Sequence, residues 1–135
     1  MINANELRIG NFIYRTSKMQ PSDNILCTAA EILKEGVCIG YWQYAAHFAK
    51  DDEIKKHVVA YENLNPIPLT PEWLRKLSFE YAGYKWVNDL VELTNDFNIL
   101  NGEDRTAWSI KVNSVHQLQN LYFALTGKEL QYELH

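Results

Sequence analysis

Near the end of the chain runs Ser114-Val-His-Gln-Leu-Gln-Asn-Leu-Tyr-Phe-Ala-Leu-Thr-Gly127, and no other stretch constrains the fold as strongly. Ser114 suits a helix N-cap, and Gln117, three positions on, can reach back to the Ser114 backbone N–H, the pattern of a capping box. Gly127 offers the left-handed residue that ends a helix without a Cβ penalty. At about 100° per residue, Val115, Leu118, Leu121, Tyr122 and Leu125 fall on one arc, which predicts a core-facing stripe. Away from that arc, His116 and Phe123 fall nearly in line, flanked by Gln119 and Asn120. A phenylalanine there is either covered by a second layer or offered to a partner. Cover is the expectation, because large apolar side chains are usually buried. His116 sits at the positive end of the helix dipole, which disfavours its protonation, so it reads as packed rather than catalytic.

A second helix signal lies upstream in Asn65-Pro-Ile-Pro-Leu-Thr-Pro-Glu-Trp-Leu-Arg-Lys-Leu77. Pro66 and Pro68 hold the approach extended, Thr70 is a suitable N-cap and Pro71 fits the first helical position. Leu69 and Leu74 are spaced as a hydrophobic staple. The helix is expected to end near Ser78, with Trp73, Leu74 and Leu77 pinning it to a sheet. Residues 79–112 then read as short strands at 84–87, 90–94, 97–100 and 106–112, punctuated by Asn88-Asp89, Asn95-Asp96 and Asn101-Gly-Glu-Asp104. In the last of these Trp108, Ile110 and Val112 alternate with Ala107, Ser109 and Lys111, which predicts one buried face. After Gly127, residues 130–134 alternate again and are expected to add an edge strand.

The first half has β character. Gly10-Asn11 is turn-like and precedes a β-rich run, and residues 19–24 read as an exposed loop. Residues 25–33 suit either a strand or a short helix. The turn at Lys34-Glu35-Gly36 and the β-rich Val37-Cys-Ile-Gly-Tyr-Trp42 favour a hairpin. Segment 43–56 is open between helix, strand and loop, and its charged run Lys50-Asp-Asp-Glu-Ile-Lys-Lys56 reads as a solvated face. Residues 58–61 return to β character. The division expected is a β-rich lobe over 1–68 and an α+β lobe over 69–135, with the proline-rich passage at Pro66 as the linker.

Three stretches carry a resemblance: Asn5-Glu-Leu-Arg-Ile-Gly-Asn11, Leu64-Asn-Pro-Ile-Pro-Leu-Thr-Pro-Glu-Trp-Leu74 and Val115-His-Gln-Leu-Gln-Asn-Leu-Tyr-Phe-Ala-Leu-Thr-Gly-Lys-Glu-Leu130. Together they span about a quarter of the chain. The chain resembles, through them, an uncharacterised family of small proteins encoded by Bacteroidetes genomes, phages and mobile elements. The resemblance implies an accessory role in a phage or mobile element and transfers no activity. Where that family is expected to have a compact hairpin, this chain has the longer segment 43–56.

Chemistry is constrained mainly by exclusion. Thirteen Lys and Arg against seventeen Asp and Glu leave a formal charge of −4, which disfavours broad electrostatic binding of nucleic acid. No cationic segment leads into an apolar run, so no signal peptide is expected, and no window is apolar enough to cross a membrane. Cytoplasmic residence is therefore expected. The six glycines form neither a phosphate loop nor a dinucleotide fingerprint, and Gly-x-Ser-x-Gly, Cys-x-x-Cys and His-Glu-x-x-His do not occur. A metal site scattered over Cys27, Cys38, His47 and His57 lacks any supporting spacing. The carboxylates Asp51, Asp52 and Glu53, or Glu103 and Asp104, sit in polar, turn-like surroundings where nothing raises a pKa. Cys27 and Cys38 flank the hairpin turn unevenly, so they are expected to be unbridged, inert thiols among apolar neighbours. No enzyme, cofactor or metal is expected.

The fold class expected is α+β: an N-terminal antiparallel β lobe in the form of a small SH3-like barrel, a short helix, an antiparallel sheet and the C-terminal helix packed on it. The seventeen aromatic residues (four Trp, eight Tyr, five Phe) favour a binding surface. The function expected is a non-catalytic contact with a protein partner, with a homo-oligomer also compatible. Tyr41, Trp42, Tyr44 and Phe48 form the densest aromatic cluster outside the predicted core elements and are the leading contact residues, the alternative being that they pack inward as the core of a third strand; His116 and Phe123 are further candidates. The competing expectation is a β-barrel that binds nucleic acid along Arg8, Arg15 and Lys18.

Overall fold

A computed structural model of the protein describes residues 2–16, 24–40, 58–88, 90–100 and 107–132. The class is α+β, with two antiparallel five-stranded sheets and two α-helices among the described residues. The chain divides into two compact units, Met1–Ile67 and Pro68–His135.

In the first unit β1 (Phe12–Thr16), β2 (Asn24–Ile32), β3 (Gly36–Gly40), β4 (Val58–Ala60) and β5 (Leu64–Asn65) form a sheet in the order β4-β3-β2-β1-β5. Residues 25–33 thus resolve as strand rather than helix, because the turn at Lys34 and Glu35 lets β2 and β3 pair and bury Val37 and Ile39. β2 is shared by its neighbours. Asn24 to Thr28 pair with β1, and Thr28 to Ile32 pair with β3 across a bulge between Ala29 and Glu31. A bulge bends and twists its strand, which lets one long strand serve both halves of the sheet. A 3-10 turn at Tyr61–Asn63 then returns the chain to β1. The core comprises Ile2, Leu7, Ile13, Cys27, Ala29, Val37, Ile39, Val59 and Leu64. Among the described residues β4 and β5 stay at the two ends of the sheet, so the barrel anticipated from the sequence is not closed.

The second unit opens with an extended approach whose Leu69 N–H donates to the Asn113 carbonyl at 3.0 Å, beside a bridge between Pro68 and Ser114. Then α1 (Pro71–Lys76) starts as expected, with the Thr70 hydroxyl accepting from the Trp73 N–H at 3.2 Å. It ends at Ser78, which takes φ 69. There Phe79 N–H donates to the Leu74 carbonyl at 2.9 Å and Ser78 N–H to the Arg75 carbonyl at 3.2 Å, which is the Schellman arrangement. The sheet β6 (Glu80–Tyr81), β7 (Lys85–Val87), β8 (Glu92–Thr94), β9 (Asn98–Leu100) and β10 (Ala107–Lys111) is a meander in sequence order. Ile110 departs from the expected buried face and is exposed, whereas Val112 is fully buried. β10 is an edge strand, so only one flank of it has a neighbour among the described residues. Residues 129–132 join neither sheet, and the edge strand expected after Gly127 does not form there.

The helix α2 (Val115–Thr126) has the expected ends with two changes. The Ser114 hydroxyl accepts from Gln117 N–H at 3.3 Å, but the Gln117 side chain accepts from Asn113 N–H at 2.8 Å, one residue earlier than a capping box would place it. The buried stripe is Val115, His116, Leu118, Gln119 and Tyr122, while Leu125 is 45% exposed. On the helical wheel this stripe is turned by roughly 60° from the apolar arc read in the sequence. The last turn passes beyond the buried part, so Phe123 and Leu125 both reach solvent.

Candidate functional site

The hairpin β6–β7 carries the most concentrated arrangement of exposed aromatic side chains among the described residues. Its turn is closed by Ala82 N–H donating to the Lys85 carbonyl at 2.8 Å. Gly83 takes φ +88 there, a backbone that a side chain would strain. Tyr81 and Tyr84 bracket that glycine and are 48% and 64% exposed. The Tyr81 hydroxyl donates to the Gly83 carbonyl at 3.1 Å, which ties the ring to its own turn.

Behind Tyr81 lies a buried support. Tyr81 stands opposite Trp86 in the β6–β7 register, so both rings occupy one face, with centroids 4.9 Å apart at 48°. Trp86 is buried and holds the exposed ring in place. Across the same indole sits the Arg75 guanidinium, 5.5 Å from the ring centroid, delivered by the last turn of α1. Each such contact contributes about 0.5–1.5 kcal/mol at most, so their value is geometric: they limit the rotamers of Tyr81 and Arg75 before any partner arrives.

The charges around this ledge are largely paired. Lys85 Nζ lies 3.0 Å from Glu92 Oε2 and 5.4 Å from the Tyr84 ring centre, while Lys76 Nζ lies 3.4 Å from Glu72 Oε1 and 5.2 Å from that of Trp73. Trp73 in turn meets Tyr132 at 5.9 Å. Among the described residues no carboxylate pairs with Arg75. Glu80 precedes Tyr81 on β6, and successive strand residues point to opposite faces, so Glu80 stands on the face away from Trp86. A rigid aromatic surface with one unneutralised arginine is suited to non-covalent recognition.

The sequence-derived candidates fare unevenly. Tyr41, Trp42, Tyr44 and Phe48 lie outside the described residues, as do His47, His57, the acidic groups at 51–53 and 103–104, and Lys18. His116 is only 4% exposed, so it belongs to the interior and not to a contact surface. Phe123 is 40% exposed, which overturns the expectation that a second layer covers it. Arg15 is buried on β1 between β2 and β5, which removes it from a basic edge, and Arg8 is half-buried.

Both cysteines are free and buried. Cys27 sits opposite Ile13 and its thiol donates to the Ile13 carbonyl at 3.5 Å, whereas Cys38 pairs with Glu31 and Val58. Burial pushes the Cys27 thiol up to about 12, with the Arg15 charge opposing that rise only in part. A thiol so held is a poor nucleophile at neutral pH. Among the described residues no group of three or more His, Cys, Asp and Glu could hold a metal ion, and no helix is long and apolar enough to cross a membrane.

The ledge was missed in the sequence because the pattern predicts a strand only over 84–87, and no element over Tyr81-Ala-Gly83 before it. The available signal was the glycine between two tyrosines, which marks a hairpin tip where aromatic rings are not covered by a next strand. In comparisons with family models, with curated proteins and with solved structures, the chain finds no match.

Proposed function

We propose that this is a non-catalytic binding protein that engages a protein partner through the ledge formed by Tyr81 and Arg75 on Trp86, with Tyr84 at the same hairpin tip. The observation that carries the proposal is the pairing of the exposed Tyr81 with a buried tryptophan that also carries an arginine over its ring, next to a second exposed tyrosine, Tyr84, at the same hairpin tip. Tyrosine, tryptophan and arginine are the residues that dominate binding energy at protein interfaces, and here their rotamers are restricted in advance. The resemblance of residues 5–11, 64–74 and 115–130 supports an origin in a phage or mobile element of a bacterium, with the protein acting in the cytoplasm. The test compares the full chain with the double variant Tyr81→Ser, Tyr84→Ser as bait in lysate of a host cell. Proteins recovered by the wild type and lost with the variant support the reading. Identical recovery by both baits refutes it.

A second reading takes its support from the first unit. Strand order β4-β3-β2-β1-β5, a shared bulged β2 and a 3-10 turn before the last strand are compatible with an SH3-like arrangement, although the sheet is not closed among the described residues. Such a unit would bind nucleic acid only along a basic edge, and buried Arg15 weakens that edge. Oligonucleotide affinity that falls steeply with salt would favour this reading. A flat response at low salt would end it.

A further inference from the structure

We infer that the segment bound at the ledge presents a carboxylate side chain beside an apolar one, and that Arg75 reads the carboxylate; this rests on the ledge being the contact surface. Three observations converge on Arg75. It is exposed at the end of α1, its guanidinium is held over Trp86 at 5.5 Å, and among the described residues no carboxylate pairs with it. The neighbouring cations are already neutralised, Lys76 by Glu72 at 3.4 Å and Lys85 by Glu92 at 3.0 Å. Charge complementarity at the ledge therefore calls for a single negative group, opposite Arg75, with Tyr81, packed on the same indole, taking an apolar neighbour.

A guanidinium over an aromatic ring can keep its N–H fork at its edge, the geometry that takes a carboxylate through two parallel hydrogen bonds, and Arg75 lies 5.5 Å from the Trp86 ring centroid. One cation suits one carboxylate. A nucleic-acid backbone needs a row of cations for several phosphates, and a chain of formal charge −4 with paired lysines around the site does not supply it. The occupant assigned is thus an extended protein segment with Asp or Glu next to an aromatic or aliphatic residue.

The experiment selects displayed random peptides on the immobilised full chain and measures the enriched peptides against wild type, Arg75→Gln, Arg75→Lys and the double variant Tyr81→Ser, Tyr84→Ser. The expected peptides share an acidic residue adjacent to an apolar one. Their affinity should fall about tenfold or more for Arg75→Gln, fall for Arg75→Lys too because an ammonium lacks the fork, and vanish for the tyrosine variant. Near-UV circular dichroism of each variant checks that the ledge is otherwise intact. Peptides that need the tyrosines but lack an acidic residue, or bind Arg75→Gln unchanged, overturn the carboxylate assignment while leaving the ledge as a contact surface. Peptides indifferent to the tyrosines, or no enrichment at all, overturn both. Oligothymidine that binds wild type, competes with the peptides and loses affinity on Arg75→Gln overturns the assignment in favour of phosphate.

Discussion

Ser78 closes α1 in the left-handed region at φ 69, a position glycine would occupy without strain. A Cβ there costs about 1–2 kcal/mol. Replacement by glycine removes that cost but loosens the unfolded chain, which returns about 0.4–1 kcal/mol. The Ser78 hydroxyl also donates to the Gln131 carbonyl at 3.2 Å, an exposed bond worth about 0.5 kcal/mol at the lower end of the usual range. These terms leave Ser78→Gly near neutral, which by itself would decide little. Ser78→Ala separates them, because it loses the same hydroxyl and keeps the strain. The difference between the two variants should be about 1 kcal/mol in favour of glycine, or about 4 °C in Tm. Urea denaturation and thermal melts of both variants read it directly. If alanine equals or exceeds glycine, the left-handed closure of α1 is wrong. The delivery of Arg75 to Trp86 by that last turn would fall with it.

Gly36 pairs with Ala60 in the β3–β4 register, and a Cβ built on it would overlap the Val59 carbonyl oxygen and lie 2.9 Å from its carbonyl carbon. Because the obstacle is backbone, Gly36→Ala should cost about 1–3 kcal/mol in denaturant titration, and a change under about 0.5 kcal/mol would show that β4 does not pair there. The raised pKa values give a pH signature. Burial raises Cys27 from 9.0 to about 12, and burial followed by the nearby Glu35 charge raises Tyr61, whose hydroxyl donates to the Leu33 carbonyl. Each group is neutral when it stabilises the fold, so its contribution is complete below its unfolded pKa and lost as pH rises through the folded one. Stability should hold up to about pH 9 and then fall, at about 1.4 kcal/mol per pH unit for the Cys27 proton released on unfolding, with the solvent-screened Tyr61 adding less. Cys27→Ala should flatten the first part of that fall, and an unchanged slope would refute the assignment to Cys27.

Much of the local structure was legible in the sequence because it rests on local chemistry. Thr70 and Pro71 start α1, and Ser114 and Gly127 bound α2, through hydrogen bonds and dihedrals that span only a few residues. The hairpin of β2 and β3 followed from its turn residues and from β-branched alternation. Unbridged thiols followed from their uneven spacing about the hairpin turn, and Cys38 falls opposite Glu31 rather than Cys27.

What was not legible depends on which surfaces meet. Polar side chains can be buried if partners satisfy them, so His116 and Gln119 entered the covered stripe of α2 while Leu125 was left out. Ile110 matches a strand's alternation yet lies exposed on an edge, where period alone cannot tell whether a neighbouring layer exists. The ledge itself is a tertiary product. Arg75 and Trp86 are eleven positions apart in sequence, and only the Schellman closure at Ser78 and the β6–β7 register bring the guanidinium over the indole beside Tyr81. Caps, turns and the α+β class were determined by the sequence itself, because dihedral preference and capping act within a few residues. The composition of the buried stripe and the meeting of cation and rings were decided only by the fold, because burial is a property of the surfaces that pack and not of the residues that carry them.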